Sequence, residues 1–321
     1  MVTSTRSPDP VTPRRQTPLM NASRRRPLMA AGRRRAAMVG AGALAALALV
    51  GAVSATAAAD PLATTGPAQT DWTTALRLSI AQPNLVPPGM NDPNCRPSAA
   101  HPRPVVLLNG AFVNKYGIWA RLSPMLAAAG YCVYGLDYGT TIPGPFHQMG
   151  DARSSAREIG DFIDGVRRHT GADQVDLVGY SEGGFVPFYY LNELGGASRV
   201  HTFVAVASPM RGMSFHGALE LLSRTPATRQ LLQAALPAAI DGTKGSAYMQ
   251  EISRHGLTRP NVTYVTISSR DDSVVALNET QLPPGPNVTN IVIQDLDPRT
   301  SAFHGAITYN TVALDSVLRA L

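Results

Sequence analysis

Residues 175–191 read VDLVGYSEGGFVPFYYL, and this stretch carries the most specific pattern in the chain. Its first part, from Val175 to Val178, is short and apolar and predicts a buried β-strand. The G-x-S-x-G pattern of Gly179–Gly183 follows, and then a run with apolar side chains at helical spacing. A serine between a strand and a helix lies on a sharp turn that exposes its hydroxyl, and the flanking glycines leave room for that turn. We therefore predict that Ser181 is a nucleophile; a Gly/Ser turn without chemistry is the alternative.

The rest of the chain alternates apolar strands with helical patterns. The predicted strands, besides the one before Ser181, are Val105–Leu108, Tyr131–Leu136, Val200–Ala207, Val262–Ser268 and Asn290–Gln294. Helical patterns cover Trp72–Ala81, residues 118–126, Ala152–His169 and Ala306–Leu321. Such alternation is typical of a mostly parallel sheet flanked by helices on both faces, with ligands bound at the carboxyl ends of the strands.

Residues 209–257 separate two of the predicted strands and are helical in places. Two apolar faces can be drawn, from Phe215, Leu219 and Leu222 and from Leu231, Leu232 and Leu236. We interpret the segment as a helical cap or lid inserted before the acid-bearing strand, with its apolar side toward an acyl chain. Helices that simply pack on the sheet are an equal alternative, because amphipathic helices usually face a core.

A serine nucleophile requires a base within hydrogen-bond reach and a carboxylate that orients the base. On a sheet with this serine turn, the acid and then the histidine follow in the chain. Asp271 and Asp272 follow the predicted strand Val262–Ser268, and spacing alone does not separate them. His304 follows the last predicted strand. The other six histidines lie in earlier elements or in the cap: His101, His147, His169, His201, His216 and His255.

The negative oxygen formed during attack on a carbonyl requires two backbone N–H donors. One is expected at Glu182, directly after the nucleophile, and the other in the loop after the first core strand. We choose Ala111 for the second donor, with Phe112 as the alternative. The sequence holds no H-E-x-x-H, no Cys/His cluster at metal spacing and no Gly-rich phosphate loop in a suitable context. No metal or cofactor is predicted.

The N-terminal 59 residues form a leader of their own. Residues 1–35 are basic, Ala36–Val53 is an unbroken run of small apolar residues, and Ala57-Ala58-Ala59 offers a cleavage site before Asp60. This order predicts a signal peptide with a disordered basic extension and hence a secreted protein. The pair Arg24-Arg25 leaves the twin-arginine and general export routes open. Residues 60–102 are predicted to form an N-terminal arm and residues 103–321 the catalytic domain.

The positive charge of the protein belongs to the leader. Nine of the 28 basic residues and one of the 22 acidic residues lie in residues 1–59, so residues 60–321 carry a net charge of −2. A nucleic-acid partner is therefore not expected. The two cysteines, Cys95 and Cys132, fit an exported protein, because they can form a disulfide between the arm and the sheet; a reduced buried pair is the alternative.

Six segments together resemble the secreted lipase/esterase family of actinobacteria, α/β-hydrolases similar to bacterial triacylglycerol lipases. They read NDPNCRPSAAHPRPVVLLNGAF, GYCVYGLDYG, GYSEGGFVPFYYLNELGG, SSRDDSVV, GPNVTNIVIQDL and FHGAI. The resemblance runs from about Asn91 to the C-terminus and implies an α/β-hydrolase fold. It places the acid on Asp272 and the histidine on His304. In this family His-Gly is usual where Asn109-Gly110 stands, and His and Gln are common at the positions of Tyr180 and Glu182.

The resemblance implies hydrolysis of carboxylic esters, with lipid esters as the expected substrates and contact with a lipid interface as an expected property. Two alternatives stay open at this point. The same triad could pass the acyl group to an alcohol of the cell envelope, and the chain could be an exported binding protein on a hydrolase scaffold without turnover. The Glu182 carboxylate is expected to point away from the developing negative charge.

Overall fold

The strands of the computed structural model form one large and one small parallel sheet within the residues it describes, which are 63–141, 144–214, 225–227, 230, 234 and 237–321. In chain order they are β1 (Thr64–Thr65), β2 (Leu85–Val86), β3 (Val105–Leu108), β4 (Val133–Leu136), β5 (Val175–Tyr180), β6 (Val200–Val206), β7 (Thr263–Ser268) and β8 (Val288–Val292). β1 pairs with β2, and the large sheet has the order β4-β3-β5-β6-β7-β8. Every pairing in it is parallel. The predicted parallel sheet is confirmed.

Both faces of the large sheet are covered, as the apolar sequence of its strands requires. Successive side chains of a strand point to opposite faces. In β3, Val106 and Leu108 accordingly belong to one buried cluster, which we call the first cluster. Val105 and Leu107 belong to a second cluster on the other face. All four side chains are fully buried, so the strand is at the centre of the core.

The helices cover these two faces. They are α1 (Trp72–Ala81), α2 (Lys115–Trp119), α3 (Leu122–Ala128), α4 (Ala152–Thr170), α5 (Pro187–Glu193), α6 (Pro237–Asp241), α7 (Ala247–Ser253), α8 (Leu277–Thr280), α9 (Ile293–Leu296) and α10 (Thr311–Ala320). The long helix α4 begins at the cap Asp151, whose side chain accepts from the Ser154 N–H at 2.8 Å. It ends at Gly171, which has a left-handed φ of 73°. None of the helices in the described residues is long and apolar enough to cross a membrane.

The structure corrects several predicted boundaries. The segment 118–126 contains two helices, α2 and α3, instead of one. Cys132 precedes β4 by one residue and is not within the strand. The last strand ends at Val292, because residues Ile293–Leu296 turn into a helix. The predicted helix Ala306–Leu321 is divided by Asn310, whose side chain caps α10 by accepting from the Ala313 N–H at 3.1 Å.

The described part of residues 209–257 packs on the domain. Tyr248 of α7 is buried and stacks on Tyr189 of α5 with 5.9 Å between the ring centroids. Its hydroxyl donates to the Val186 carbonyl oxygen at 2.8 Å. Within the described residues, α7 therefore packs against α5. The two apolar faces predicted at residues 215–222 and 231–236 lie outside the described residues, and the lid remains a prediction.

The N-terminal arm is attached along the edge strand β4. The Asn91 N–H donates to the Val133 carbonyl at 2.8 Å, and the Asn91 side chain exchanges two hydrogen bonds with the Gly135 backbone. A disulfide joins Cys95 to Cys132, with the two Cα atoms 5.6 Å apart. The predicted pairing of the two cysteines is thus present in the structure. Together these contacts complete the edge of the sheet with residues of the arm.

Removal of the disulfide is expected to lower stability markedly. The bridge closes a loop of 37 residues, and restriction of the unfolded chain over that length is worth about 4 kcal/mol. In a Cys95→Ser/Cys132→Ser double variant the melting temperature should fall by about 10 °C. Thermal unfolding followed by circular dichroism measures this fall. Incubation of the wild type with a reductant is the control, and an unchanged melting temperature in both experiments would contradict the prediction.

Candidate active site

Ser181 lies on the tight turn predicted for it. β5 ends at Tyr180, and a single 3₁₀ turn, Ser181–Gly184, leads toward α5. The φ angle of Ser181 is 52°, a left-handed value that is strained for any residue with a Cβ atom. A Cβ atom on Gly179 would lie 2.0 Å from the Gly183 carbonyl oxygen, and one on Gly183 would lie 2.2 Å from that of Leu108. Both glycines are therefore required by close backbone contact.

The structure brings Ser181, His304 and Asp272 together in a hydrogen-bonded chain. The Ser181 Oγ and His304 Nε2 atoms are 3.0 Å apart, and His304 Nδ1 is 2.8 Å from Asp272 Oδ2. With the imidazole proton on Nδ1, Nδ1–H donates to Asp272 and Nε2 accepts from the Ser181 hydroxyl. The Asp272 side chain is almost completely buried, while His304 keeps some exposure.

The two adjacent carboxylates, which spacing did not separate, have different partners. Oδ1 of Asp272 accepts from the backbone N–H groups of Val274 at 2.8 Å and Val275 at 3.0 Å. Asp271 instead accepts from the Ser301 hydroxyl at 2.7 Å through Oδ2. The Asp272 carboxylate is thus fixed by backbone donors and faces the imidazole. Asp271 links the two loops that carry Asp272 and His304.

The loop after β3 approaches Ser181 closely, because Leu108 and Gly179 are paired residues of neighbouring strands. A Cβ atom on Gly110 would lie 2.8 Å from that of Ser181. The N–H of the next residue, Ala111, has no hydrogen-bond partner within the part of the chain that the structure describes. The Phe112 N–H, in contrast, donates to the His147 carbonyl at 3.0 Å. Of the two candidates in this loop, Ala111 therefore has the available donor.

Asn109 supports this loop from below and is completely buried. Its Nδ2 donates to Asp137 Oδ1 at 2.8 Å, and its Oδ1 accepts from the Trp119 indole at 3.0 Å. Asp137 also pairs with the Lys115 ammonium group at 2.5 Å. The Asn109 carbonyl accepts from the Tyr138 hydroxyl at 2.7 Å. Asn109, at the position of the usual histidine, thus has hydrogen-bond partners for its side-chain nitrogen, its side-chain oxygen and its carbonyl oxygen.

Gln148 is a supporting residue that the sequence analysis did not identify. Its side chain is buried beside the loop after β3. With the amide oriented to satisfy its neighbours, Nε2 donates to the carbonyls of Gly110 at 2.8 Å and Val113 at 2.7 Å, and Oε1 accepts from Asn109 at 3.1 Å. One side chain therefore fixes both ends of the loop. No local pattern indicates this role, because the contact spans more than thirty residues of chain.

The N-terminal arm also reaches the site, through Trp72 of α1. The Trp72 and Phe303 rings meet edge to face with 5.4 Å between their centroids. A Cβ atom on Gly305 would lie 2.5 Å from the Trp72 ring. The residues on both sides of His304 therefore rest on the arm. The arm was predicted from the sequence, but no motif in it indicates a contact with the residues around His304.

The Glu182 carboxyl is buried on the side of the first cluster, away from the segment that carries His304. Tyr138 and Tyr248, whose pKa values its charge raises, belong to that cluster. Among the described residues, Oε1 of Glu182 has no hydrogen-bond partner. Burial raises the pKa of the Glu182 carboxyl well above its usual value, and the charge of Asp241 raises it further. Burial therefore favours the neutral acid over the carboxylate at this position.

Replacement of Glu182 by glutamine should make the protein more resistant to alkaline pH. A raised pKa in the folded state means that the stabilising protonation is complete below the unfolded pKa, about 4.5, and is lost as pH rises toward the folded pKa. Between the unfolded and the folded pKa, the free energy of unfolding of the wild type should fall by about 1.4 kcal/mol per pH unit relative to that of Glu182→Gln. The melting temperature should fall by about 4 °C per pH unit. Melting curves from pH 5 to pH 9 measure the difference. The exposed Asp173→Asn variant is the control, and parallel curves for wild type and Glu182→Gln would refute the prediction.

The part of the chain described by the structure contains no group of three or more His, Cys, Asp or Glu residues that could hold a metal ion. The arrangement at Ser181 instead offers a hydroxyl, a base, a buried carboxylate and a free backbone donor. Such a set performs nucleophilic acyl transfer on other folds and in other chain orders, and is recognised by its geometry.

Comparison with solved structures finds proteins that share the fold. Lipase B of Aspergillus fumigatus matches at 15% identity and a TM-score of 0.52, over 66% of this chain and 50% of that one. Lipase BlEst2 of Bacillus licheniformis in its propeptide form matches at 17% identity and a TM-score of 0.53, over 72% of this chain and 52% of that one. The mature form of BlEst2 matches at 15% and 0.50, over 71% of this chain and 93% of that one. This chain thus spans about half of the first two proteins.

No match occurs among curated protein sequences. The family model for class 2 lipases matches residues 102–314, which is more than half of the 321-residue chain. The matched range includes the whole large sheet and the loops of Ser181, Asp272 and His304. The chain therefore belongs to the class 2 lipase family, a family of carboxylic ester hydrolases.

Proposed function

We propose that this protein is an exported ester hydrolase in which Ser181, His304 and Asp272 form a catalytic triad. The observation that carries the proposal is the continuous hydrogen-bonded chain, with 3.0 Å between Ser181 and His304 and 2.8 Å between His304 and Asp272. A serine hydroxyl is a weak nucleophile on its own, and this arrangement supplies the base and its orienting acid. An intact chain of this kind supports turnover rather than a binding role.

In the proposed reaction Ser181 Oγ attacks the acyl carbonyl carbon while its proton passes to His304 Nε2. Asp272 stabilises the imidazolium that results, without accepting its proton. The N–H groups of Ala111 and Glu182 donate to the negative oxygen of the tetrahedral intermediate. The imidazolium then protonates the leaving alcohol, and an acyl ester of Ser181 remains. A water molecule, deprotonated by His304, releases the carboxylic acid and restores the hydroxyl. No cofactor takes part in this cycle.

Lipid esters are the proposed substrates. Phe112, beside the proposed donor Ala111, is 36% exposed, and Phe303, beside His304, is 49% exposed. Large exposed apolar side chains next to reacting groups favour an apolar acyl or alcohol group over a polar one. Hydrolysis rates over a series of p-nitrophenyl esters from acetate to palmitate test this. We expect the longer chains to be preferred, and a preference for acetate would limit the function to short esters.

A fluorophosphonate probe tests the proposal as a whole. The probe should attach to one residue per chain, and peptide mapping by mass spectrometry should find it on Ser181 together with loss of p-nitrophenyl ester hydrolysis. Absence of both labelling and turnover would favour the binding protein. Transesterified product in excess over free acid, after an acceptor alcohol is added, would favour the acyltransferase.

Export is part of the same proposal. The leader pattern and the disulfide Cys95–Cys132, which persists in oxidising compartments, support it. Sequencing of the N-terminus of protein recovered from the growth medium should begin at Asp60. Retention of the protein inside the cell with its leader attached would contradict export but leave the proposed chemistry intact.

A further inference from the structure

Tyr180, the last residue of β5, directly precedes the proposed nucleophile and is buried, with 5% of its surface exposed. Its side chain belongs to the second cluster, which also contains Ala302 and Ile307 on either side of His304. Tyr180 therefore points to the same face of the sheet as the segment that carries the imidazole. This direction follows from its position in the strand, because Val178, two residues earlier in β5, belongs to the same cluster.

The Tyr180 ring contacts two parts of the site at once. The centroids of the Tyr180 and His304 rings are 5.1 Å apart, with 41° between the ring planes. On another side, a Cβ atom on Gly110 would lie 3.0 Å from ring atoms Cδ1 and Cε1 of Tyr180. The ring thus contacts both the imidazole and the loop that carries the proposed donor Ala111. Both contacts are made by atoms of the aromatic ring.

We propose that Tyr180 is a positioning residue whose aromatic ring holds the His304 imidazole in line with Ser181 and stabilises its cationic form. The inference rests on the triad proposed above. An aromatic face at this separation attracts a cation through the negative charge of its π system. In the proposed reaction His304 becomes cationic when it takes the Ser181 proton, so this attraction stabilises the transition state and the intermediates.

The surroundings of the ring are consistent with this role. Among the described residues, Asp272 contacts the imidazole through Nδ1, and Tyr180 contacts it through its ring. In the neighbouring loops, Asp271 accepts a hydrogen bond from the Ser301 hydroxyl, and Arg270 forms an ion pair with Asp295. Burial raises the pKa of the Tyr180 phenol well above its usual value, and the charge of Asp272 adds to the rise. The raised pKa favours the neutral phenol.

Three variants distinguish the effect of the aromatic ring from the effect of the hydroxyl and from the effect of the volume that the side chain fills. Tyr180→Phe retains the ring, whereas Tyr180→Leu and Tyr180→Met fill the site without a π face. Steady-state kinetics with a soluble short ester, normalised to the active sites that a fluorophosphonate probe titrates, gives kcat and KM per competent enzyme. The pH profile of kcat/KM gives the pKa of the free imidazole from its acid limb.

We expect Tyr180→Phe to stay within about twofold of the wild type. Tyr180→Leu and Tyr180→Met should lower kcat about tenfold with little change in KM, and their acid limb should move about half a pH unit lower, because the imidazolium has lost its aromatic partner. An unmoved acid limb in both variants, or an equal loss in Tyr180→Phe, would overturn the inference. A wild type without hydrolysis would instead refute the proposed function.

Discussion

Ser181→Ala should lower kcat for ester hydrolysis about 10⁶-fold, to the level left by substrate binding and the backbone donors alone. The variant removes the atom that forms the acyl ester, and His304 and Asp272 then have no nucleophile to activate. It should nevertheless fold normally, because alanine at φ = 52° carries the same Cβ strain as serine. The loss is therefore expected in kcat with the melting temperature nearly unchanged.

The measurement is the rate of p-nitrophenyl ester hydrolysis by the purified variant, with fluorophosphonate labelling in parallel. Ser198→Ala is a matched control, since Ser198 is exposed and lies just before β6. It is therefore at the amino-terminal ends of the strands, whereas Ser181 is at their carboxyl ends. This variant should hydrolyse esters at the wild-type rate. Turnover by Ser181→Ala within tenfold of the wild type would refute Ser181 as the nucleophile.

The serine turn was predictable because its determinants are local. The strand, the two glycines and the proline at the start of α5 all lie within residues 175–191, and each of them limits the backbone directly. The parallel sheet followed from the same kind of information, since its strands are short apolar runs separated by helical patterns. Ser181, His304 and the pair Asp271-Asp272 could be placed by chain order, because the carboxyl ends of parallel strands meet at the same end of the sheet.

Spacing in the sequence did not predict which of Asp271 and Asp272 contacts His304. This depends on which carboxylate receives the Val274 and Val275 N–H groups and which one meets Ser301 across the site. Both residues are aspartates, and they stand next to each other after the same strand, so their position in the sequence does not distinguish them. Only the resemblance to a known family selected Asp272, which in the structure is the carboxylate that contacts His304.

Contacts between distant parts of the chain were missed for a similar reason. Gln148 fixes the loop of Gly110 through its amide, and Trp72 supports the residues around His304 from the arm. Neither residue stands in a periodic pattern or a motif. The misplaced end of β8 has another cause, because a short apolar run such as Ile291–Ile293 fits a strand and a buried helix equally well.

Asp272→Asn should lower kcat about 10⁴-fold while the fold is preserved. Two backbone N–H groups, from Val274 and Val275, donate to Asp272 Oδ1. An asparagine at this position keeps those bonds only with its oxygen toward the backbone, so its NH₂ group faces His304. The imidazole must then accept at Nδ1 and carry its proton on Nε2. In that tautomer it cannot take the proton of Ser181.

The control for this variant is its neighbour, Asp271→Asn. The Asp271 side chain is exposed and accepts from Ser301, a bond that the oxygen of asparagine can also accept. We expect Asp271→Asn to keep kcat within a few-fold of the wild type, since its partner is a hydroxyl and not the imidazole. The same ester assay on both variants measures the ratio. Equal losses at the two positions would mean that the loop acts through its shape, whereas a loss confined to Asp271→Asn would transfer the role of the orienting acid to Asp271.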